Sequence, residues 1–235
     1  STMGKVKIKR KSTLIDMTAM SDVTVLLLTF FMLTSTFLQK EPVTVITPAS
    51  VSELKVPINN VTTVLVSPKG EIFLGVLGDA DSTYSSEKVR AEILQSAVAE
   101  YNKTHSKKVQ LTQEQVNKFS KMNMFGMPIA QLPAFLDESQ VHQDEIMQGK
   151  RPEWKIGIPV DDNQDLANPN EFQIWMRAIY NANGNMESTI KSGEGIAVKA
   201  DADTPYDIVH TVLDNLQTLK MNKFSLLTAL KTEND

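Results

Sequence analysis

An aspartate inside an apolar segment is the clearest sign of chemistry in this chain of 235 residues. Asp22 lies within residues 14–38, and Thr18, Thr29 and Thr36 accompany it at successive spacings of four, seven and seven residues. On a helix these spacings align the four side chains along one stripe. A carboxylate at the centre of a bilayer costs about 2.5–3.5 kcal/mol, so such a residue usually serves a function. The pattern predicts that Asp22 faces protein or water and carries a proton or an ion.

Two other interpretations of this stripe stay open. Threonine hydroxyls can join neighbouring helices through hydrogen bonds without any proton chemistry. The aspartate favours proton or ion handling over that role, because joining helices needs no titratable group. Alternatively, Ser21 or Asp22 caps the beginning of a short helix that stays at the membrane surface.

The length of the apolar run argues for a spanning helix that includes Asp22. The charge-free run Val23–Leu38 has sixteen residues. As a helix it reaches about 24 Å across a hydrocarbon core about 30 Å thick. Residues 40–42 (KEP) prevent an extension at the C-terminal end, so the span is predicted to cover residues 14–38. A cleaved signal peptide fits less well, because no A-x-A-like site follows the run and Asp22 interrupts the apolar region.

The charge distribution predicts the orientation of this helix. Residues 1–13 carry five basic and no acidic side chains, so the net charge of −4 divides into +5 on this tail and −9 on the remainder. An acidic body argues against nucleic acid as a partner. Basic segments next to a span stay in the cytoplasm. The tail is therefore predicted to be cytoplasmic, and residues 40–235 are predicted to lie across the membrane.

Other candidates for catalysis or metal binding are weak. Cysteine is absent, which excludes disulfides, thiolate metal ligands and thiol catalysis. The histidines are dispersed without the spacing of metal ligands, and neither a nucleophile–base set nor a carboxylate pair can be recognised. We therefore predict no enzymatic activity, no metal site and no cofactor. The histidines are His105, His142 and His210.

Beyond the apolar run, the sequence predicts a linker and then a β-hairpin. Residues 39–60 contain three prolines that alternate with valines, which favours an extended backbone. Val61–Ser67 is predicted as a strand, residues 68–71 (PKGE) as a turn, and Ile72–Leu77 as the returning strand.

The C-terminal third predicts helices and strands in alternation. Residues 169–182 are predicted as a helix whose aromatic and apolar stripe faces the core: Phe172, Trp175, Met176, Ile179 and Tyr180. A strand at 195–200, a helix that Thr204 caps and Pro205 begins, and a strand at 223–230 follow. Residues 61–77 and 169–230 thus predict a two-layer α+β domain of order ββαβαβ.

Residues 78–168 are predicted to be a largely helical insertion between the two parts of this domain. Ser86–Thr104 has apolar residues on one helical face, and Thr112 is placed to cap a second helix over 113–121. The size and position of the insertion suggest the hypothesis that it docks a partner.

The region around Asp22 resembles the beginning of the ExbD/TolR family of biopolymer-transport proteins. In that family a short cytoplasmic tail leads into a T-P-x-x-D-V element that opens one apolar helix. Residues 18–23 (TAMSDV), followed by residues 26–32 (LLLTFFM), are similar to it, with Ala19 in place of the proline. Residues 45–50 (VITPAS) look like the family's extended segment beyond the membrane. The far-side domain is longer than the family norm.

This resemblance implies a subunit of a proton-driven motor in the bacterial inner membrane. Members dimerise inside a pentameric, channel-like partner of the ExbB/TolQ type. They drive a TonB- or TolA-like periplasmic arm that energises outer-membrane transport. Asp22 occupies the position of the family's aspartate, which gains and loses a proton as protons cross. The resemblance also implies a homodimer in membrane lipid, with its C-terminal domain in the periplasm.

A second class of function remains compatible with the sequence. The chain could be a membrane-anchored periplasmic binding or structural protein that grips peptidoglycan, as TolR-like and MotB-like relatives do. Such a protein needs an anchor but no acid within the membrane, so the role of Asp22 discriminates between the two classes.

Overall fold

The computed structural model describes residues 17–35, 59–80 and 82–228, and the chain divides into two compact units, 1–40 and 41–235. The first unit contains helix α1 (Met17–Ser35). The described strands of the second unit are β1 (Val61–Val66), β2 (Ile72–Leu77), β3 (Ile196–Ala200) and β4 (Ser225–Thr228). Its described helices are α2 (Ser86–Thr104), α3 (Gln113–Ser120), α4 (Leu132–Asp137), α5 (Gln140–Met147), α6 (Glu171–Tyr180), α7 (Gly184–Ser192) and α8 (Tyr206–Thr218). Short 3₁₀ turns cover Ser82–Tyr84 and Ile129–Gln131.

The four strands form one mixed sheet in the order β2-β1-β3-β4. β1 pairs antiparallel with β2, whereas β1 with β3 and β3 with β4 pair in parallel. A parallel pair needs a long crossover, and here α8 connects β3 to β4 while helices α2 to α7 separate β2 from β3. These elements confirm the predicted α+β class.

The predicted hairpin is confirmed, and local turn chemistry explains it. Gly70 adopts φ +81°, a conformation that glycine accepts without strain. The amide of Ser67 donates to the carbonyl of Glu71 across the turn at 2.9 Å. The order of strand and turn residues in the sequence was therefore sufficient to predict this hairpin.

The helix over Ser86–Thr104 is confirmed, but its buried surface is wider than the predicted face. Arg90, Leu94 and Val98 are buried together with Val89, Ile93, Ala97 and Tyr101. The reason is that α2 packs against β2, α3 and α6. Its apolar residues belong to the same core as those of β1, β2 and β3.

Capping was predicted correctly at one helix and wrongly at another. Thr112 caps α3 in a reciprocal capping box with Gln115, as its position before the helix indicated. Thr204 does not cap α8, whose N-cap is Pro205 without a side-chain bond. The hydroxyl of Thr204 donates instead to the carbonyl of Val66 at 3.2 Å. The hydroxyl that the sequence predicted to cap the helix therefore bonds to the last residue of β1 instead.

Residues between α3 and α6 protect the outer edge of β2. Leu74 and Phe125 exchange backbone hydrogen bonds of 2.8 and 2.9 Å, and the amide of Ile158 donates to the carbonyl of Ile72 at 2.9 Å. A side chain at Gly126 would collide with the ring of Phe73, so this close approach requires glycine. Covering an edge in this way prevents pairing with foreign strands.

Replacing Thr62 by valine is expected to stabilise the second unit. Thr62 is fully buried in β1, and its hydroxyl has no hydrogen-bond partner in the described part of the chain. A buried polar group without a partner costs about 1–3 kcal/mol, and valine keeps the β-branched shape. Chemical denaturation should show a higher free energy of unfolding for Thr62→Val. Thr63→Val, at a half-buried neighbouring position, should change it little. A loss of stability in Thr62→Val would reveal an ordered water at the hydroxyl.

Candidate functional site

Helix α1 carries Asp22 in its interior. The described helix begins at Met17, so Asp22 lies five residues after its first residue. An N-cap must stand at the very beginning of a helix. The interpretation of Ser21 or Asp22 as the cap of a short helix is therefore wrong.

The described members of the polar stripe share one face of α1. At about 100° per residue, Thr18, Asp22 and Thr29 fall within an arc of about 40°. Thr36, the fourth predicted member, lies outside the described residues. Val25 occupies the same face between Asp22 and Thr29, so the polar groups are separated by one apolar side chain.

Backbone carbonyls satisfy two threonine hydroxyls of this helix. Thr29 donates to the carbonyl of Val25 and Thr24 donates to that of Met20, each at 2.8 Å. A hydroxyl that has donated its proton keeps lone pairs that can accept another bond. Thr29 therefore presents an acceptor on the face of Asp22, suited to a protonated carboxyl group or to water. Thr24 presents a similar group away from that face.

Seven large apolar side chains in the stretch 18–30 of α1 are exposed, each between 51% and 62%. Apolar surface of this extent normally meets another protein or a membrane. Within the described part of the chain, no helix combines the length and the apolar character required to cross a bilayer. The ends of the predicted span, residues 14–16 and 36–38, lie outside the described residues. The exposed side chains are Met20, Val23, Val25, Leu26, Leu27, Leu28 and Phe30.

Titratable groups elsewhere form separate pairs in the described residues. His142 lies 3.0 Å from Glu138 and His210 lies 3.0 Å from Asp214, and the two partners of each pair are exposed and four residues apart in sequence. His105 stacks on Tyr101 with a centroid distance of 3.8 Å. No group of three or more potential metal ligands occurs among the described side chains.

Sequence reasoning missed a buried arginine in the second unit. Arg90 is only 5% exposed. Its Nε donates to the carbonyl of Val76 at 2.8 Å, and its Nη1 donates to that of Ser120 at 3.1 Å. Burial lowers the pKa of Arg90 below its ordinary value, and the carboxylate of Glu87 opposes that effect. The sequence did contain a signal for this burial. Arg90 precedes Leu94 by four residues and Val98 by eight, which places all three on one face of the helix.

The predicted aromatic stripe on α6 is confirmed as core. Phe172, Trp175, Met176 and Ile179 are fully buried, and Tyr180 packs at the margin of the core. Trp175 stacks on Phe119 at a centroid distance of 5.8 Å. The helix begins after Asn170, whose side chain forms a capping box with Gln173.

The fold and the site together define a class of protein. It is a mixed-sheet α+β domain that follows an apolar helix with one carboxylate on a threonine-bearing face. The chain belongs to the biopolymer transport protein ExbD/TolR family, whose family model matches residues 9–231. The expected family is thereby confirmed over nearly the whole chain. A search of curated proteins found no match, and neither did a search of solved structures.

Membership of this family has general consequences for function. The family acts in the energy transduction of biopolymer transport, is associated with membranes and does not consist of enzymes. Its members work with partners of the ExbB/TolQ and TonB/TolA types.

Proposed function

We propose that this protein is a proton-coupled subunit of an inner-membrane motor that powers transport at the outer membrane. In this proposal residues 14–38 span the bacterial inner membrane and residues 1–13 lie in the cytoplasm. Residues 39–60 form an extended periplasmic linker to a periplasmic domain. Asp22 gains and loses the transported proton. The single observation that carries the proposal is the carboxylate in the interior of an apolar helix.

Electrostatics supports this role for Asp22. A carboxylate prefers its neutral form in a low-dielectric surrounding and its charged form beside water or hydroxyl groups. A change between these surroundings therefore couples protonation to movement of the helix. One elementary charge moved across about 100 mV is worth about 2.3 kcal/mol. When Asp22 is protonated and neutral, the hydroxyl oxygen of Thr29 on the same face offers it a hydrogen-bond acceptor.

The surface of α1 supports an assembly rather than an isolated anchor. Its exposed apolar side chains suit lipid or the wall of a channel-like partner of the ExbB/TolQ type, whereas the polar stripe suits the inner side of a helix pair. We therefore propose a homodimer within that partner and a TonB- or TolA-like arm as the element that is moved. The alternative is a membrane-anchored protein that holds peptidoglycan through its periplasmic domain.

A helix exchange tests the proposal against that alternative. Residues 17–35 are replaced by an apolar leucine-alanine helix of the same length, and the remaining chain is left unchanged. The motor proposal predicts that the hybrid fractionates with the membrane but no longer supports proton-gradient-dependent uptake across the outer membrane. A helix that serves only as an anchor can be replaced by any apolar helix of the same length. Uptake retained at the native level would therefore favour the peptidoglycan-binding alternative.

A second hybrid serves as the control for this experiment. It contains the same leucine-alanine helix with Thr18, Asp22 and Thr29 restored at their positions. Partial recovery of uptake is expected, because the stripe is again complete over the described helix. Absence of any recovery, with normal amounts of protein in the membrane, would show that the stripe is insufficient.

A further inference from the structure

A cleft beside the turn between β1 and β2 is lined by distant parts of the second unit. Gly70 and Glu71 line it from the turn, and Pro128 and residues 155–159 (KIGIP) line it from the chain between α3 and α6. Its volume is about 320 Å³, which is near the lower limit for a ligand site and holds a few side chains. Pro128 and residues 155–159 belong to the predicted insertion 78–168, for which the sequence suggested the docking of a partner.

Two glycines bring the insertion close to this turn. A Cβ at Gly157 would lie 3.1 Å from the Cα of Glu71, so the two backbones run side by side here. A Cβ at Gly149 would lie 3.7 Å from Cδ1 of Ile156 and 4.0 Å from Nζ of Lys69. The ammonium group of Lys69 and the cleft residue Ile156 therefore meet at Gly149.

The side chains at this cleft carry an excess of positive charge. Lys69, Lys150 and Lys155 are exposed and form no ion pair within the described residues. Lys155 lines the cleft, and Lys150 directly follows the glycine against which Lys69 lies. One carboxylate, that of Glu71, also lines the cleft, and its Oε2 accepts a hydrogen bond from the hydroxyl of Ser67 at 3.2 Å. Charge complementarity therefore favours an anionic ligand.

An unpaired piece of backbone lines the same cleft. The amide of Gly157 donates to the carbonyl of Gly126 at 2.8 Å, and the amide of Ile158 donates to that of Ile72 at 2.9 Å. By contrast, the amide and the carbonyl of Ile156 form no hydrogen bond with any described residue. In an antiparallel pair, one residue can exchange both of these bonds with the residue opposite it. Ile156 is thus suited to pairing with an extended peptide, which adds to the protein like a further strand.

We propose that this cleft binds an extended acidic peptide segment of a partner protein. The peptide pairs with the backbone of Ile156, and its carboxylates meet Lys69, Lys150 and Lys155. Successive side chains of an extended chain point to opposite sides. Acidic residues of the peptide can therefore face the lysines while the apolar residues between them enter the cleft. The site lies wholly within the second unit, so the proposal does not depend on the role of Asp22.

Fluorescence anisotropy with the full-length protein in detergent tests this site. The probe is a fluorescein-labelled hexapeptide in which glutamate and valine alternate. Saturable binding is expected, and it should weaken when the salt concentration is raised from about 0.05 M to about 0.5 M, because salt screens exposed charges. A peptide with lysine in place of glutamate should not bind. Equal binding of the two peptides, or binding of neither, would overturn the proposal.

Variants that remove one charge locate the site. Lys69→Gln and Lys155→Gln should each weaken binding about two- to fivefold, the range for one exposed ion pair. Glu71→Gln should strengthen binding, because it removes the carboxylate that lines the cleft. Lys223→Gln is the matched control, since this exposed lysine precedes β4 at the opposite end of the sheet, and it should bind like the native protein. Equal weakening by all three lysine variants would show a diffuse attraction and contradict a site at the cleft.

A modified peptide tests the pairing with Ile156. N-methylation of every residue in the probe keeps its charges but removes its backbone donors. This peptide should bind about tenfold more weakly, because the hydrogen bonds to the backbone of Ile156 are lost or distorted. Unchanged affinity would mean that the lysines attract anions of any kind, and the proposed peptide site would then be wrong.

Discussion

Asp22→Asn is expected to reduce proton-gradient-dependent outer-membrane uptake to the level of cells that lack the protein. Asparagine preserves the size and hydrogen-bonding capacity of the side chain but cannot exchange a proton. The helix should still insert and assemble, because the neutral amide costs less in an apolar medium than a charged carboxylate. Uptake is measured together with the amount of protein in the membrane and its co-purification with the channel-like partner.

Three further variants separate proton transfer from packing. Asp22→Glu restores a titratable group and is expected to recover part of the uptake. Thr29→Val and Thr24→Val remove equivalent hydroxyls, since each hydroxyl donates to the carbonyl four residues earlier at 2.8 Å. Only Thr29 shares the face of Asp22, so Thr29→Val should lower uptake more than Thr24→Val. Native uptake in Asp22→Asn would make the aspartate structural and favour the anchored binding protein.

Arg90→Met is expected to lower the free energy of unfolding of the second unit by about 2–4 kcal/mol. Methionine fills much of the same volume but donates no hydrogen bond. The carbonyls of Val76 and Ser120 would lose the guanidinium donor that now joins α2 to β2 and to the end of α3. Relief of the desolvated charge offsets part of the loss, since burial already lowers the pKa of Arg90.

Chemical denaturation of Arg90→Met and of a matched surface variant checks this expectation. Arg151 pairs with Glu145 at 2.8 Å, and the side chains of both are 37% exposed. Exposed ion pairs contribute little to stability, so Arg151→Met should unfold close to the native midpoint. Equal midpoints for the two variants would mean that water replaces the guanidinium of Arg90 at the carbonyls.

Much of the local structure and the candidate site could be predicted from the sequence, because short-range rules decide them. The spacing of Thr18, Asp22 and Thr29 places them on one face of any α-helix, whatever surrounds that helix. The hairpin turn at Gly70 and the cap at Thr112 depend on residues within four positions of each other. Family membership was recognisable for the same reason, since its motif is a contiguous stretch around Asp22.

Interactions between distant residues decided the rest. Helix α7 was not predicted, because Gly184–Ser192 has only Met186 and Ile190 as buried residues. The hydroxyl of Thr204 finds its partner on Val66, 138 positions away in sequence, and the edge of β2 is closed by residues that follow α3. No sequence pattern encodes such pairings, because the free energy comes from burial and hydrogen bonds formed only after the chain has folded. The sequence by itself therefore determined the carboxylate-bearing helix and its family, whereas the tertiary structure alone decided the surroundings of Arg90 and the covering of the β2 edge.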